Sequence, residues 1–168
     1  MNKVKFTLYA EPQGKGRPRF RTHNTKSGKA FAQTYTPAGT RAYEQLIAQE
    51  YRKKYGQEIK FKKDFPLAIL INAYCAIPKS ASRAVREDML SGVIFPTKKP
   101  DPDNIIKIVL DALNEVAFED DKQVVNVHCC KQYSNSPRVE VTIIPAALLN
   151  TAAKTRQRTE DMQCKMQL

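Results

Sequence analysis

Residues 65–78 read FPLAILINAYCAIP, an almost unbroken apolar run closed by Pro78. A strand with one wet face alternates apolar and polar residues, so a run of this kind has both faces covered and sits centrally in a sheet. The rest of the chain must supply that cover, and its patterns do. Val4-Lys5-Phe6-Thr7-Leu8-Tyr9 alternates and predicts a strand ended by Pro12. Thr36-Pro37 offers an N-cap and a proline at the first helical position, and Tyr43, Leu46, Ile47, Glu50 and Tyr51 recur at helical spacing until Gly56, which predicts a helix over 37–55. Residues 79–92 read as a short helix with a thin apolar face. Residues 103–118 carry Ile105, Ile106, Val109, Leu110, Leu113 and Val116 or Ala117 in one stripe, the pattern of a helix packed on the sheet. Residues 124–133 and 138–144 read as an antiparallel pair of strands joined by Ser134-Asn135-Ser136-Pro137. The expected fold is α+β, a mixed, largely antiparallel sheet of about four strands with packed helices. One domain spans 1–145, and residues 146–168 form a C-terminal helix or tail.

At 168 residues the chain is long enough for one domain with a real core and too short for two ordinary ones. It has no apolar run of the ~18 residues that a membrane helix needs, and its first residues lack a signal-peptide stretch, so a cytoplasmic location and no membrane partner are expected. Cys75, Cys129, Cys130 and Cys164 have no C-x-x-C spacing, and the only histidines are His23 and His128. That argues against zinc and against a disulfide framework, and leaves any metal to carboxylates, hence to Mg²⁺ with Mn²⁺ as a substitute. The formal charge is +11, and it is uneven. Residues 1–63 hold fifteen Lys or Arg against four Glu, whereas residues 64–168 hold thirteen of each sign. A polyanion would therefore meet the N-terminal third, although a merely solvated basic face has the same composition.

Two acid pairs bracket the 103–118 helix: Asp101-x-Asp103 at its start, and Asp120-Asp121 after its end. Paired carboxylates suit a hard cation, and Asp101, Asp103 and Asp121 are the candidate metal ligands, with Asp120 assisting. Each has a plain structural alternative. Asp103 could be the helix N-cap, Asp101 could complement the helix dipole, and Asp120-Asp121 could form a turn. Lys107 shares a helix face with Asp103 and Asp111, which suits a salt-bridge ladder as well as a catalytic lysine that stabilises charge at a phosphate. Asp111 lies roughly 12 Å along the helix from Asp103 and so would orient Lys107 rather than bind metal. Asn104 would either hold a ligand carboxylate or simply sit in the first turn, and His128 reads as structural.

The basic surplus centres on Lys15-Gly16-Arg17-Pro18-Arg19-Phe20-Arg21. Lys15, Arg17, Arg19 and Arg21, with Lys98 and Lys99 beside the acids, are the candidate DNA contacts, and Phe20 or Phe31 could stack on an unpaired base. The phosphate-loop spacing is absent, so no nucleotide cofactor is expected.

Lys99-Pro100-Asp101, Asp103-Asn104, Lys107, Asp111-Ala112-Leu113 and Asp120-Asp121-x-Gln123, together with residues 14–20 and Tyr35-Thr36-Pro37, resemble the RusA-type Holliday-junction resolvases of phage, prophage and bacteria. The resemblance covers roughly residues 3–145. It implies a homodimeric, metal-dependent endonuclease acting on branched DNA, with four-way junctions as substrate and a catalytic lysine at Lys107. It also implies that folding returns Asp121 to the N-terminal end of the helix. A two-fold dimer would supply the second cut that a junction requires, with the 103–118 helix or the C-terminal strands as interface. Two other readings remain: a non-catalytic binder of branched or single-stranded DNA, and a different metal-dependent, structure-selective nuclease.

Overall fold

The apolar run becomes an interior strand of the sheet as expected, but only one of its faces is fully covered: Ile69, Ile71, Ala73 and Cys75 are buried, whereas Leu70, Asn72 and Tyr74 on the other face are half-buried. The computed structural model describes residues 3–24, 30–62 and 64–149. Its strands are β1 (Val4–Leu8), β2 (Arg19–Asn24), β3 (Ala30–Tyr35), β4 (Leu67–Ala76), β5 (Val124–Ser134) and β6 (Arg138–Pro145). The helices are α1 (Ala38–Tyr55), α2 (Arg83–Leu90) and α3 (Pro102–Leu113), with a 3-10 turn at Asp121–Gln123. The main sheet has the order β1-β6-β4-β5, and β2 pairs with β3 as a separate two-stranded arm. Leu67, Ala68, Ile69 and Ile71 of β4 are fully buried, and the residues that cover them come from α1 and α3 as well as from the flanking strands. From α1, Tyr43, Ile47 and Tyr51 face the core, with the Tyr51 ring edge-on to Phe6 of β1 at 6.0 Å. From α3, Ile105, Ile108, Val109, Ala112 and Leu113 do so, while Ile106 and Leu110 of the expected stripe lie half-buried beside them.

The sheet is mixed as expected, but residues 124–144 do not form the antiparallel hairpin that their pattern suggests. β5 pairs in parallel with β4, and β6 lies on the other side of β4, antiparallel to both β4 and β1. The apolar content of each strand explains the outcome. β6 alternates cleanly, burying Val139, Val141 and Ile143, and takes an interior position with ladder partners on both edges. β5 is more polar and takes the edge, with Val125 64% exposed.

Two further boundaries differ from the sequence pattern. The N-cap of α1 is Pro37 rather than Thr36, with no side-chain cap. α3 ends at Leu113, five residues short of the expected 103–118 helix. Glu115 takes a left-handed backbone (φ 57), and Phe118 turns back to bridge Asn114 and Phe61, so Ala117 and Phe118 bury as a plug rather than as helix. Residues 150–168, most of the expected C-terminal helix or tail, lie outside the described residues, as do residues 25–29. No helix among the described residues is long and apolar enough to cross a membrane.

Phe118 is fully buried and anchors the end of α3. Phe118→Ala should cost about 3–5 kcal/mol in urea denaturation, whereas Val125→Ala at the exposed edge should stay within about 0.5 kcal/mol. Equal losses would mean that the plug carries no special share of the core.

Candidate active site

Asp101 is the N-cap residue of α3, in extended backbone, with Pro102 opening the helix. Its side chain makes no capping hydrogen bond, so the carboxylate is not consumed by the role its position suggests. Asp103 stands in the first turn and accepts a hydrogen bond from the Asn104 amide at 3.3 Å. Both acids are exposed, and among the described residues neither pairs with a cation. The helix dipole favours negative charge at this end. A cleft of about 770 Å³ opens beside Asp101, which lines it together with Gly14, Lys15, Arg17, Lys99 and Asn104. Lys107 lies one turn further along, exposed and likewise without an ion pair among the described residues. The salt-bridge ladder through Asp103, Lys107 and Asp111 is therefore not formed.

Asp111 is taken by a lysine from the arm. The Lys15 ammonium lies 2.5 Å from both Asp111 and Glu44, and its backbone N–H donates to the Asn104 carbonyl at 2.8 Å. Burial acts to lower the Lys15 pKa, yet the hydrogen bonds and charges of Asp111 and Glu44 outweigh it and hold the value above that of an ordinary lysine. With its charge matched by two carboxylates and its side chain only 23% exposed, Lys15 is a strut that ties the arm's base to α1 and α3. This differs from its expected place among the DNA contacts, and it removes Asp111 from Lys107. Neighbouring glycines allow the close approach. A Cβ at Gly14 would sit 2.9 Å from that of Asn104, and one at Gly16 would sit 2.7 Å from the Thr40 hydroxyl. Arg17, Arg19, Arg21, Lys98 and Lys99 are exposed.

At the other end of α3 the second acid pair has a different setting. Asp120 caps the 3-10 turn: it accepts from the Lys122 N–H at 3.0 Å and pairs with the Lys122 ammonium at 2.9 Å. Those hydrogen bonds, the backbone one first, keep its carboxyl below the usual carboxylate range. Gln123 completes the capping box, accepting from the Glu119 and Asp120 N–H groups while its amide donates to the Lys62 and Phe65 carbonyls. Asp120 thus takes the turn role, and Gln123 is a buried rivet that the sequence reading missed, although the D-x-x-Q spacing of a capping box carries the signal. Asp121 is exposed.

The expected return of Asp121 to the start of α3 does not occur within one protomer. α3 is 12 residues long, roughly 18 Å, and Asp121 follows three residues after Phe118, which bridges to the helix C-terminus. Because β5 runs parallel to β4, its first residue pairs with Leu67, at the start of β4. The far end of β5 lies by the acids of α3, where the Lys131 ammonium donates to the Lys98 carbonyl at 2.6 Å. Among the described residues no three His, Cys, Asp or Glu side chains gather as a metal-holding group. Among the described residues Cys75, Cys129 and Cys130 are free thiols, and burial pushes the Cys129 thiol up to about 11.

A family model described as endodeoxyribonuclease RusA matches residues 10–144. An uncharacterized protein of Bacillus subtilis (strain 168), YqaN, is 37% identical over 145 residues, covering 85% of this chain and 96% of its own length.

The strut role of Lys15 has a direct consequence. Lys15→Ala should leave Glu44 and Asp111 facing each other without a cation and lower stability by roughly 1–3 kcal/mol, read by urea denaturation at neutral pH. The loss should shrink as the pH rises past the ordinary lysine value, because a raised folded-state pKa stabilises only while the ammonium stays protonated. The slope of DNA affinity against salt should stay unchanged, whereas a slope reduced by about 0.9 would return Lys15 to the phosphate contacts.

Proposed function

The chain belongs to the endodeoxyribonuclease RusA family, and from that premise we propose that it is a magnesium-dependent endonuclease that resolves four-way DNA junctions by paired, symmetric nicks, acting as a homodimer in recombination and repair. The observation that carries this reading is the acid end of α3. Two exposed carboxylates one residue apart, bound by neither cap nor ion pair, stand at the helix start, and Asp101 lines a cleft that Arg17 and Lys99 also line.

These acids suit Mg²⁺, a hard ion that keeps several waters and needs only one or two carboxylates besides the substrate phosphate. When bound, the ion supplies Lewis-acid neutralisation of charge on the phosphate oxygens. Asp101 and Asp103 would hold it, and the Asn104 amide fixes the direction of the Asp103 carboxylate. Asp121 joins the same site only across a subunit boundary. It lies about a helix length from Asp103 in its own protomer; a two-fold axis near the middle of α3 would exchange the helix ends and bring the partner's Asp121 to the first protomer's Asp101 and Asp103. The homodimer then serves two purposes, completing each site and pairing the two cuts.

Lys107 contributes through its freedom. Its ammonium stands one turn from Asp103 and can hold the scissile phosphate or offset the charge that grows on it in the transition state. Arg17, Arg19, Arg21, Lys98 and Lys99 supply phosphate contacts that position the duplex arms without reading sequence.

Incubation with labelled four-way junction, flap, linear duplex and RNA hairpin, in Mg²⁺ or in chelator, tests the reading. Paired nicks on the junction in Mg²⁺ alone are expected; scission in chelator, or equal cutting of every substrate, contradicts it. Lys107→Ala should lower turnover by roughly 10² to 10³ with junction affinity little changed. A variant that turned over normally would leave Lys107 a surface lysine.

A further inference from the structure

We propose that the arm and the first turn of α1 form a subsite for one unpaired deoxynucleotide at the branch point, with Tyr35 stacking on the base and Arg21 and Arg41 holding its phosphate. The inference rests on the reading of the protein as a branched-DNA nuclease and adds where the branch is sensed. In the arm, Arg19 pairs with Tyr35, Phe20 with Thr34 and Arg21 with Gln33. Side chains alternate between faces along a strand, so Arg19, Arg21, Gln33 and Tyr35 share one face and Phe20 points to the other. α1 closes the first face from the side: a cleft of about 380 Å³ is lined by Arg21, Gln33, Tyr35 and Arg41.

The chemistry of this cleft matches one nucleotide. The two guanidiniums are exposed and, among the described residues, no carboxylate pairs with either, so both are open to a phosphate. The first turn of α1 carries no acid to compete. Tyr35 is 37% exposed, its ring a flat platform at the cleft, and the Gln33 amide offers a donor and an acceptor to a base edge. Stacking on an aromatic ring needs a base that has left its duplex stack, which a branch point provides and a linear duplex does not. Phe20, the residue that composition singles out for stacking, is 74% exposed on the opposite face, away from the arginines. The side chain of Phe31, the other such residue, lies outside the described residues.

The test compares binding of the full-length protein to a four-way junction and to a linear duplex of the same sequence, both in chelator so that no strand is cut. Tyr35→Ala should weaken junction binding by about tenfold and duplex binding by less than about twofold, and Tyr35→Phe should retain the junction preference. Arg41→Ala should weaken both and lower the salt slope by about 0.9. Phe20→Ala should leave the preference intact. Equal losses on both DNAs for Tyr35→Ala, no loss on either, or a preference abolished by Phe20→Ala would overturn the subsite. A wild-type protein with no preference for the junction would instead overturn the nuclease reading and the subsite with it.

Discussion

The parallel pairing of β4 and β5 is the constraint on which the rest of the structure depends. Parallel neighbours need a crossover, and here it runs from the end of β4 through α2 and α3 to the start of β5. α3 must then run back against the strand direction to reach the start of β5. Its N-terminus therefore lies beside the far ends of β4 and β5, and its C-terminus beside their beginnings. The two acid pairs that bracket the helix in sequence are thereby held apart in space, one at each end.

Each end is built for a different purpose. At the C-terminal end, Asp120 and Gln123 satisfy the backbone of a tight turn, and the buried Gln123 amide bonds the chain back to Lys62 and Phe65. At the N-terminal end the carboxylates of Asp101 and Asp103 stay open while the structure around them is firmly held. Lys15 provides much of that hold, joining the arm's base to α1 and α3 through two carboxylates. With the Lys15 charge matched by two carboxylates, the phosphate contacts of the proposed reading fall to Arg17 and the exposed arginines further along the arm.

Local pattern was enough to read the elements, because apolar periodicity reports burial directly. The run at 65–78 announced a central strand, and the spacing of Tyr43, Ile47 and Tyr51 announced α1. Strand order was not legible, since β5 and β6 are short of any local signal for their neighbours and the turn-like Ser134–Pro137 segment suits a hairpin equally well. The end of α3 was hidden for a related reason: Ala117 and Phe118 continue the apolar stripe but bury through a reversal of the chain. In the site, the positions of Asp101, Asp103 and Lys107 followed from the helix start. The capture of Asp111 by Lys15 did not, because it joins residues 96 apart in sequence whose meeting depends on how the arm folds over α3.

The central claim is that each active site combines Asp101 and Asp103 of one protomer with Asp121 of its partner. Mixing two inactive proteins, Asp103→Asn and Asp121→Asn, under conditions that exchange subunits tests it most directly. A mixed dimer would contain one doubly altered site and one wholly native site, so Mg²⁺-dependent nicking of a four-way junction should reappear, at roughly a quarter of the wild-type number of sites after random exchange. A mixture with confirmed subunit exchange that remained as inactive as its components would contradict the shared site, since a site built within one protomer would be defective in every combination.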